Sequence, residues 1–167
     1  MRVRKGNLQD LQHIKNLGLA VWSQFKTQLT DDNWILLQEN LSNEKRYVDL
    51  LNQCESFICE NEANEIIGFV FLMPSGNPTD IFTEQQSYIR YLTVSEKYKG
   101  QKLGQLLTEK CIEKAIENGE KYIALHTSEM MPAARHIYEK SGFKIIKEIE
   151  PRLGKKYWVY QLDIDNK

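Results

Sequence analysis

The sequence has few of the residues that form disulfides, metal sites and rigid turns. Of its 167 residues, three are Cys, three are His and four are Pro. The cysteines, Cys54, Cys59 and Cys111, are odd in number and irregularly spaced, which does not fit a disulfide framework or a zinc site. The histidines also lack metal-ligand spacing. We therefore expect buried free thiols, a reducing cytoplasmic compartment and no bound metal.

The chain also lacks long apolar runs and an excess of charge. No apolar run approaches the roughly 20 residues that span a bilayer, and the first residues, Met1–Lys5, lack the apolar segment of a secretory signal. The formal net charge is −1, so the charge balance does not favour nucleic acid or an anionic membrane as a partner. We expect neither partner, and both a monomer and a homodimer are compatible with the sequence.

What is present is typical of a folded domain. Hydrophobic residues make up 41% of the chain and charged residues 27%, which is ordinary for a globular protein. The length suits one domain with a sizeable core. We find no internal repeat, low-complexity segment or linker, and we expect residues 1–167 to form a single domain.

The periodic segments predict an α/β fold in the order β-α-α-β-β-β-α-β-α-β-β. Helical spacing begins near Leu8 and again after Thr30, and Asn40–Asn43 is a weak point that sets Tyr47–Leu51 apart as a separate helical piece. The strands between residues 56 and 72 predict a hairpin. Hairpins together with one parallel crossover predict a mixed, mostly antiparallel sheet with helices on both faces.

A basic turn with two glycines stands between a strand and a helix. The strand Tyr88–Val94 is rich in β-branched and aromatic residues, and apolar residues at helical spacing follow from Leu103. Gly100 and Gly104 lie between, beside several lysines. The first turn of a helix has free N–H groups and a partial positive charge, so it suits a phosphate or pyrophosphate. The alternative is an ordinary surface turn whose lysines are simply solvated.

A second segment points in the same direction. The residues Ala134, Tyr138, Gly142 and Phe143 follow the pattern Ala-x-x-x-Tyr-x-x-x-Gly-Phe. With the turn upstream, this segment resembles the acyl-coenzyme-A-binding region of the GNAT superfamily of N-acetyltransferases, and the element order is similar over essentially the full chain.

The turn departs from the family pattern in two places. Lys99 stands where Arg or Gln is usual, and Lys102 stands where a glycine is usual. A side chain at position 102 predicts ordinary backbone angles there. Met131 and Pro132 occupy the region where many members have an Asn, so no Asn contact to the pantetheine arm is expected.

The resemblance implies direct transfer of an acetyl group from acetyl-CoA to a primary amine, either a small amine or the N-terminus of a peptide, in a ternary complex. It implies that the strand carrying Leu92–Val94 separates from the next strand to hold the pantetheine, and that a backbone N–H near Leu92 or Thr93 binds the thioester oxygen. The residues it assigns to the cofactor are Leu92, Thr93, Val94, Lys99, Gly100, Gln101, Lys102, Leu103, Gly104, Gln105, Ala134, Arg135 and Tyr138.

Tyr138 is the catalytic candidate. A phenol is protonated at neutral pH and can donate to a departing thiolate. The alternative is a tyrosine that only packs its ring on a helix face. The base that deprotonates the amine is left open between Glu84, His126, Glu129 and water.

The identity of the acceptor is also left open. Its pocket is expected in the helical region Leu8–Leu51 and the loops Pro74–Thr83 and Glu150–Lys155. The acidic residues that could attract a cationic amine are Asp31, Asp32, Asp80, Glu84 and Glu129. Arg90 and Arg135 could instead contact the cofactor phosphates or an acidic substrate. The alternatives to an enzyme are a non-catalytic acyl-CoA-binding or sensor domain and, less favoured, a nucleotide-binding or scaffold protein.

Overall fold

A seven-stranded sheet forms the centre of the computed structural model, which describes residues 1–164. The strands are β1 (Arg2–Lys5), β2 (Glu55–Glu60), β3 (Ile66–Met73), β4 (Gln86–Val94), β5 (Tyr122–Ser128), β6 (Lys144–Arg152) and β7 (Lys155–Asp163), in the spatial order β1-β2-β3-β4-β5-β7-β6. Only the β4–β5 pair is parallel within these residues. The predicted mixed, mostly antiparallel sheet is confirmed.

Five α-helices connect the strands in the described part of the chain. They are α1 (Leu11–Trp22), α2 (Asp31–Ser42), α3 (Glu44–Gln53), α4 (Leu103–Glu117) and α5 (Pro132–Lys140). Three of them lie between β1 and β2, where the predicted order counted two, and the third, α3, contains the separate helical piece expected at Tyr47–Leu51. Asn43 explains the difference, because it ends α2 and its side chain accepts a hydrogen bond from the Arg46 N–H, which caps α3.

Helices cover both faces of the sheet and bury a core on each. On one face α4 and α5 enclose Leu107, Cys111 and Phe143. On the other face α1 and α3 enclose Ile14 and Tyr47. All three cysteines are buried and free, as predicted. Among residues 1–164 no helix is both long and apolar enough to cross a membrane, and no cluster of possible metal ligands was found there.

The β4–β5 pair opens partway along its length. Parallel pairing runs from Gln86 only as far as Tyr88, which lies opposite Ala124. Farther along β4, two residues, Tyr91 and Leu92, lie opposite one residue of β3. Tyr91 has a φ of 55°, and its carbonyl accepts a hydrogen bond from the Thr93 hydroxyl. Such a bulge bends its strand. Beyond Tyr88 and Ala124, a gap opens between β4 and β5.

An ion-pair cluster ties β1 to β2 and to the start of the first helical segment. The Arg4 guanidinium donates to both Asp10 carboxylate oxygens at 2.8 and 2.9 Å and to Glu60 Oε1 at 2.7 Å. Asp10 also accepts from the Asn7 N–H in a capping box. Hydrogen bonds from Arg4 hold the pKa of Asp10 and of Glu60 below their ordinary values. The cluster therefore stabilises the fold only while both groups are ionised.

We predict that Arg4→Met lowers the Tm at pH 7 by about 3–10 °C, because two nearly buried carboxylates lose their main donor. Both carboxyl pKa values are depressed in the fold, so their stabilisation is complete above pH 5 and is lost as the pH falls through the depressed values. Wild type should therefore lose more stability than the variant between pH 5 and pH 3, as measured by thermal unfolding. Arg2→Met is the comparison variant, since Arg2 also donates to Glu60, at 2.6 Å, but is two-thirds exposed and should have a smaller effect. Parallel Tm–pH curves for wild type and Arg4→Met would contradict the prediction.

Candidate functional site

The turn before α4 presents unpaired backbone donors. A short 3-10 turn, Glu96–Tyr98, leads to Gly100 with a φ of 82°. Within residues 1–164, the N–H groups of Lys102, Leu103, Gly104 and Gln105 have no intrachain acceptor, whereas the Leu106 N–H donates to the Lys102 carbonyl. Four free donors at a helix N-terminus form a site suited to an anion.

Lys102 does not have the ordinary backbone angles that we expected. Its φ is 61° and its ψ is 17°, in the left-handed region. The expectation failed because the chain must turn sharply between the 3-10 turn and α4, and this requirement overrides the local preference of a lysine. The position thus has a conformation that glycine adopts most readily.

Gly104 allows α4 to approach α5 closely. A Cβ atom at this position would lie 2.8 Å from Ile137 Cδ1, which is closer than carbon atoms pack. A larger residue at position 104 would therefore require the Ile137 side chain to move.

A groove of about 550 Å³ adjoins this turn. It is bounded by the end of α1, the Val94 end of β4, and the first turns of α4 and α5. Of the residues predicted to bind the cofactor, those that line the groove are Leu92, Val94, Lys99, Gly100, Lys102, Leu103, Gly104, Gln105 and Ala134. The sequence prediction and the geometry therefore point to the same surface.

Four predicted cofactor residues do not line the groove, and one of them, Tyr138, lines a second cavity that is described below. Thr93 is buried and its hydroxyl bonds to the Tyr91 carbonyl, and Gln101 is exposed on the outside of the turn. The Arg135 guanidinium lies 4.3 Å above the Trp158 ring, and its Nε donates to the Tyr160 hydroxyl at 3.0 Å. These contacts hold the Arg135 side chain against β7.

A second cavity, of about 510 Å³, meets the groove at the gap in the sheet. The residues that line both are Trp22, Leu92, Met131 and Ala134. The second cavity is bounded by α2, by Arg46 of α3, by the β6–β7 turn and by the separated ends of β4 and β5. The helical region and the loop Glu150–Lys155 were predicted to line an acceptor pocket, and both contribute to this cavity.

The loop Pro74–Thr83 lines neither cavity, unlike our expectation. Phe82 stacks on Tyr88 with ring centroids 4.3 Å apart, and the Thr79 hydroxyl accepts hydrogen bonds from the N–H groups of Ile81 and Phe82. The loop is therefore folded onto the lower part of β4, away from the gap.

Tyr138 lines the second cavity beside the shared residues. Its ring packs edge-on against Phe143 with centroids 5.9 Å apart, and its carbonyl accepts from the Phe143 N–H, which ends α5. Only 6% of the residue is exposed. Burial raises the pKa of the phenol above its ordinary value, so the hydroxyl keeps its proton throughout the neutral range.

Of the candidate bases, only His126 lines a cavity. Burial, with the cations of Arg152 and Arg90, lowers the pKa of His126 to about 3. Its ring is therefore neutral at pH 7, and its buried Nδ1 has no partner in residues 1–164. Glu84 and Glu129 are exposed and line neither cavity, and the Glu129 carboxylate accepts from the Lys156 N–H.

The acidic residues that we expected to attract a cationic amine are not in the second cavity. Asp31, Asp32 and Asp80 lie outside it, whereas Arg46, Arg90 and Arg152 line it. Arg90 was singled out from the sequence as a possible contact to an acidic substrate. Arg46 and Trp22 were not singled out from the sequence. Helical spacing predicts where helices lie, but it does not predict which of their side chains reach the cavity.

The family model described as "Acetyltransferase (GNAT) family" matches residues 19–143. The chain therefore belongs to the GNAT acetyltransferase family. It is 26% identical to the human N-acetyltransferase 8B over 75% of this chain and 54% of that protein. It is 28% identical to the probable N-acetyltransferase camello of Xenopus tropicalis over 73% of this chain and 53% of that protein. The chain spans about half the length of these curated relatives.

Solved structures show the same fold. The PaiA N-acetyltransferase of Thermoplasma acidophilum, determined in complex with coenzyme A, superposes with a TM-score of 0.77 and 15% identity, covering 97% of this chain and 98% of that one. A GNAT-family acetyltransferase of Staphylococcus aureus Mu50 gives a TM-score of 0.69 and 20% identity, covering 97% and 99%. The mixed sheet and its helices are therefore those of the family fold.

We predict that Lys102→Gly stabilises the protein by about 1 kcal/mol, because glycine relieves the left-handed strain and loses part of that gain to its greater unfolded-state entropy. The Tm should rise by about 2–4 °C. Lys102→Ala is the matched control, since alanine removes the same charge and keeps the strain. An equal rise in the Tm of both variants would assign the effect to charge instead of backbone conformation.

Proposed function

We propose that the protein is an acetyl-CoA-dependent N-acetyltransferase and that residues 1–167 form a single domain of this kind. The observation that carries the proposal is the open gap between β4 and β5, which joins a groove with free backbone donors to a second cavity. Family membership gives the reaction class, acyl transfer. The two cavities meet where a donor thioester and an acceptor amine would have to meet.

The groove suits the coenzyme A portion of the donor. Its diphosphate would accept hydrogen bonds from the N–H groups of Lys102–Gln105, with the ammonium groups of Lys99 and Lys102 adding positive charge. The pantetheine amides would pair with the unpaired edge of β4 at Leu92–Val94. This arrangement brings the thioester to the residues shared by both cavities, beside Tyr138.

The reaction is proposed as a direct attack. The amine nitrogen forms a bond to the thioester carbonyl carbon and releases a proton to solvent, the C–S bond breaks, and the thiolate takes up a proton. The donor to the thiolate regains its proton from solvent, so that one proton is released and one is taken up overall. A backbone N–H near Leu92 or Thr93 is the candidate donor to the carbonyl oxygen as negative charge develops. Tyr138 is the candidate donor to sulfur, because its phenol is neutral and lines the cavity at this point.

Water is the proposed acceptor of the amine proton. A His126 pKa of about 3 makes that ring a weak base for an ammonium group. Its unpartnered Nδ1 is suited to accept a hydrogen bond from the neutral amine. His126 would then orient the nucleophile, and the proton would leave through solvent before the attack.

A non-catalytic acyl-CoA-binding domain is the second candidate. It is favoured by the lack of a carboxylate base among the residues 1–164 that line the second cavity. Calorimetry with acetyl-CoA and a thiol-release assay across amines, amino acids and peptides distinguish the two. Binding with turnover supports the enzyme, binding without turnover supports the sensor, and absence of binding contradicts both.

A cytoplasmic location remains a proposal that the free thiols favour.

We predict that Tyr138→Phe lowers kcat by about 10- to 100-fold, because the departing thiolate loses its donor, while the Kd of acetyl-CoA changes by less than about threefold. Steady-state kinetics and calorimetry measure the two effects. Tyr160→Phe is the control, since it removes a buried phenol that bonds Arg135 and Glu139 and lines neither cavity. An unchanged kcat in Tyr138→Phe would remove the phenol from the mechanism.

We predict that the acid limb of kcat/KM follows the pKa of the acceptor amine and not that of His126. Because the pKa of His126 is lowered, its ring stays neutral from pH 5 to pH 9, and only the amine changes protonation as activity rises with pH. Pairs of acceptors with different amine pKa values should shift the limb accordingly. A limb near pH 6–7 that is the same for every acceptor and is lost in His126→Gln would show that the histidine is the base.

A further inference from the structure

The wall of the second cavity has an excess of positive charge. Three arginines, Arg46, Arg90 and Arg152, line it, and no Asp or Glu does so among residues 1–164. A cavity of about 510 Å³ is within the range of small-molecule sites. Three arginines on the wall of one such cavity strongly favour an anionic ligand.

Two of these arginines have no acidic partner in the described part of the chain. The Arg46 Nη1 donates to the Tyr91 hydroxyl at 3.0 Å, and the Arg90 guanidinium lies 5.6 Å from the centre of the same ring. Neither takes part in an ion pair. The side chain of Tyr91, on the bulge of β4, therefore contacts both cations and does not neutralise them.

Arg152 has only a weak partner. Its Nη2 lies 3.3 Å from Asp80, whose side chain is 80% exposed. Ion pairs of this kind are screened by water and are easily exchanged for another carboxylate. A ligand carboxylate in the less exposed cavity would compete well for the Arg152 guanidinium.

The remaining wall is mostly apolar. Leu36, Leu41 and Leu153 line it, as does Tyr157. Two further lining residues, His126 and Thr127, each have a buried polar atom, Nδ1 and Oγ1, with no partner in residues 1–164. Buried polar atoms usually have partners, and these two atoms would gain one only if a bound ligand reached them.

We propose that the acceptor is an α-amino acid with a free carboxylate and an apolar or aromatic side chain. Arg90 and Arg152, assisted by Arg46, would bind the carboxylate, the apolar wall would hold the side chain, and the amine would face the gap between β4 and β5. Polyamines and other purely cationic amines would be rejected by the arginines. This inference rests on the proposed N-acetyltransferase activity and adds the class of the acceptor.

The first experiment assays the twenty free L-amino acids with acetyl-CoA. Each accepted amino acid is then compared with its carboxamide and its decarboxylated amine, for example L-phenylalanine, L-phenylalaninamide and 2-phenylethylamine. The rates are expressed per neutral amine, because the three amine pKa values differ. We expect kcat/KM to fall at least about 20-fold when the carboxylate is amidated or removed.

The second experiment tests the arginines through this preference. Arg90→Gln and Arg152→Gln should lower kcat/KM for the acid much more than that for the amide, which reduces the preference to within about threefold. A purely structural role would lower both rates together and keep the ratio. Lys45→Gln is the matched control, since Lys45 precedes Arg46 on α3 but is 82% exposed and pairs with Asp49.

The outcomes separate this inference from the proposed function. Equal or faster acetylation of amides or decarboxylated amines would overturn the amino-acid acceptor and leave the N-acetyltransferase proposal intact. The inference is also overturned if acetyl-CoA binds but no amino acid is acetylated and none raises the Tm. Failure of acetyl-CoA itself to bind would overturn both proposals. The wild-type comparison decides the matter even where an arginine variant does not fold.

Discussion

The bulge at Tyr91 and Leu92 is the constraint on which the rest of the site depends. If β4 and β5 paired along their full lengths, the sheet would be closed and its two faces would be separate. Instead pairing stops at Tyr88 and Ala124, and the bulge bends β4 away. The freed edge of β4 lies on the groove, and the gap joins that groove to the second cavity. Tyr138 of α5 and His126 of β5 line the same gap from different elements.

Backbone groups form one part of this site, and charged side chains form the other. The groove relies on N–H groups at the start of α4, and Gly104 allows that helix end to lie close to α5. The second cavity relies on side-chain charge, because three arginines line it and no Asp or Glu of residues 1–164 does. Burial, with the cations of two of these arginines, Arg152 and Arg90, lowers the pKa of His126. One part of the site therefore has a generic anion-binding geometry, and the other depends on charged side chains.

The fold and the groove could be predicted because their signals are local. The capping residues Asn7 and Thr30, Pro132 at the start of α5 and Gly142 at its end are each visible in a few neighbouring residues. The second cavity could not be predicted in this way, since Arg46, Arg90 and Arg152 are far apart in the sequence. The prediction of ordinary backbone angles at Lys102 was wrong for a related reason. The geometry of a turn that joins two elements overrides the preference of one residue.

Trp22, Leu92, Met131 and Ala134 form a wall that both cavities share. A substitution at any of these four positions changes the volume on both sides at once. Evolution of this chain toward a longer acyl donor would therefore also reshape the space for its acceptor. Selectivity for the acyl donor and selectivity for the acceptor are therefore coupled through these side chains. Only substitutions at residues that line one cavity alone can change one selectivity without the other.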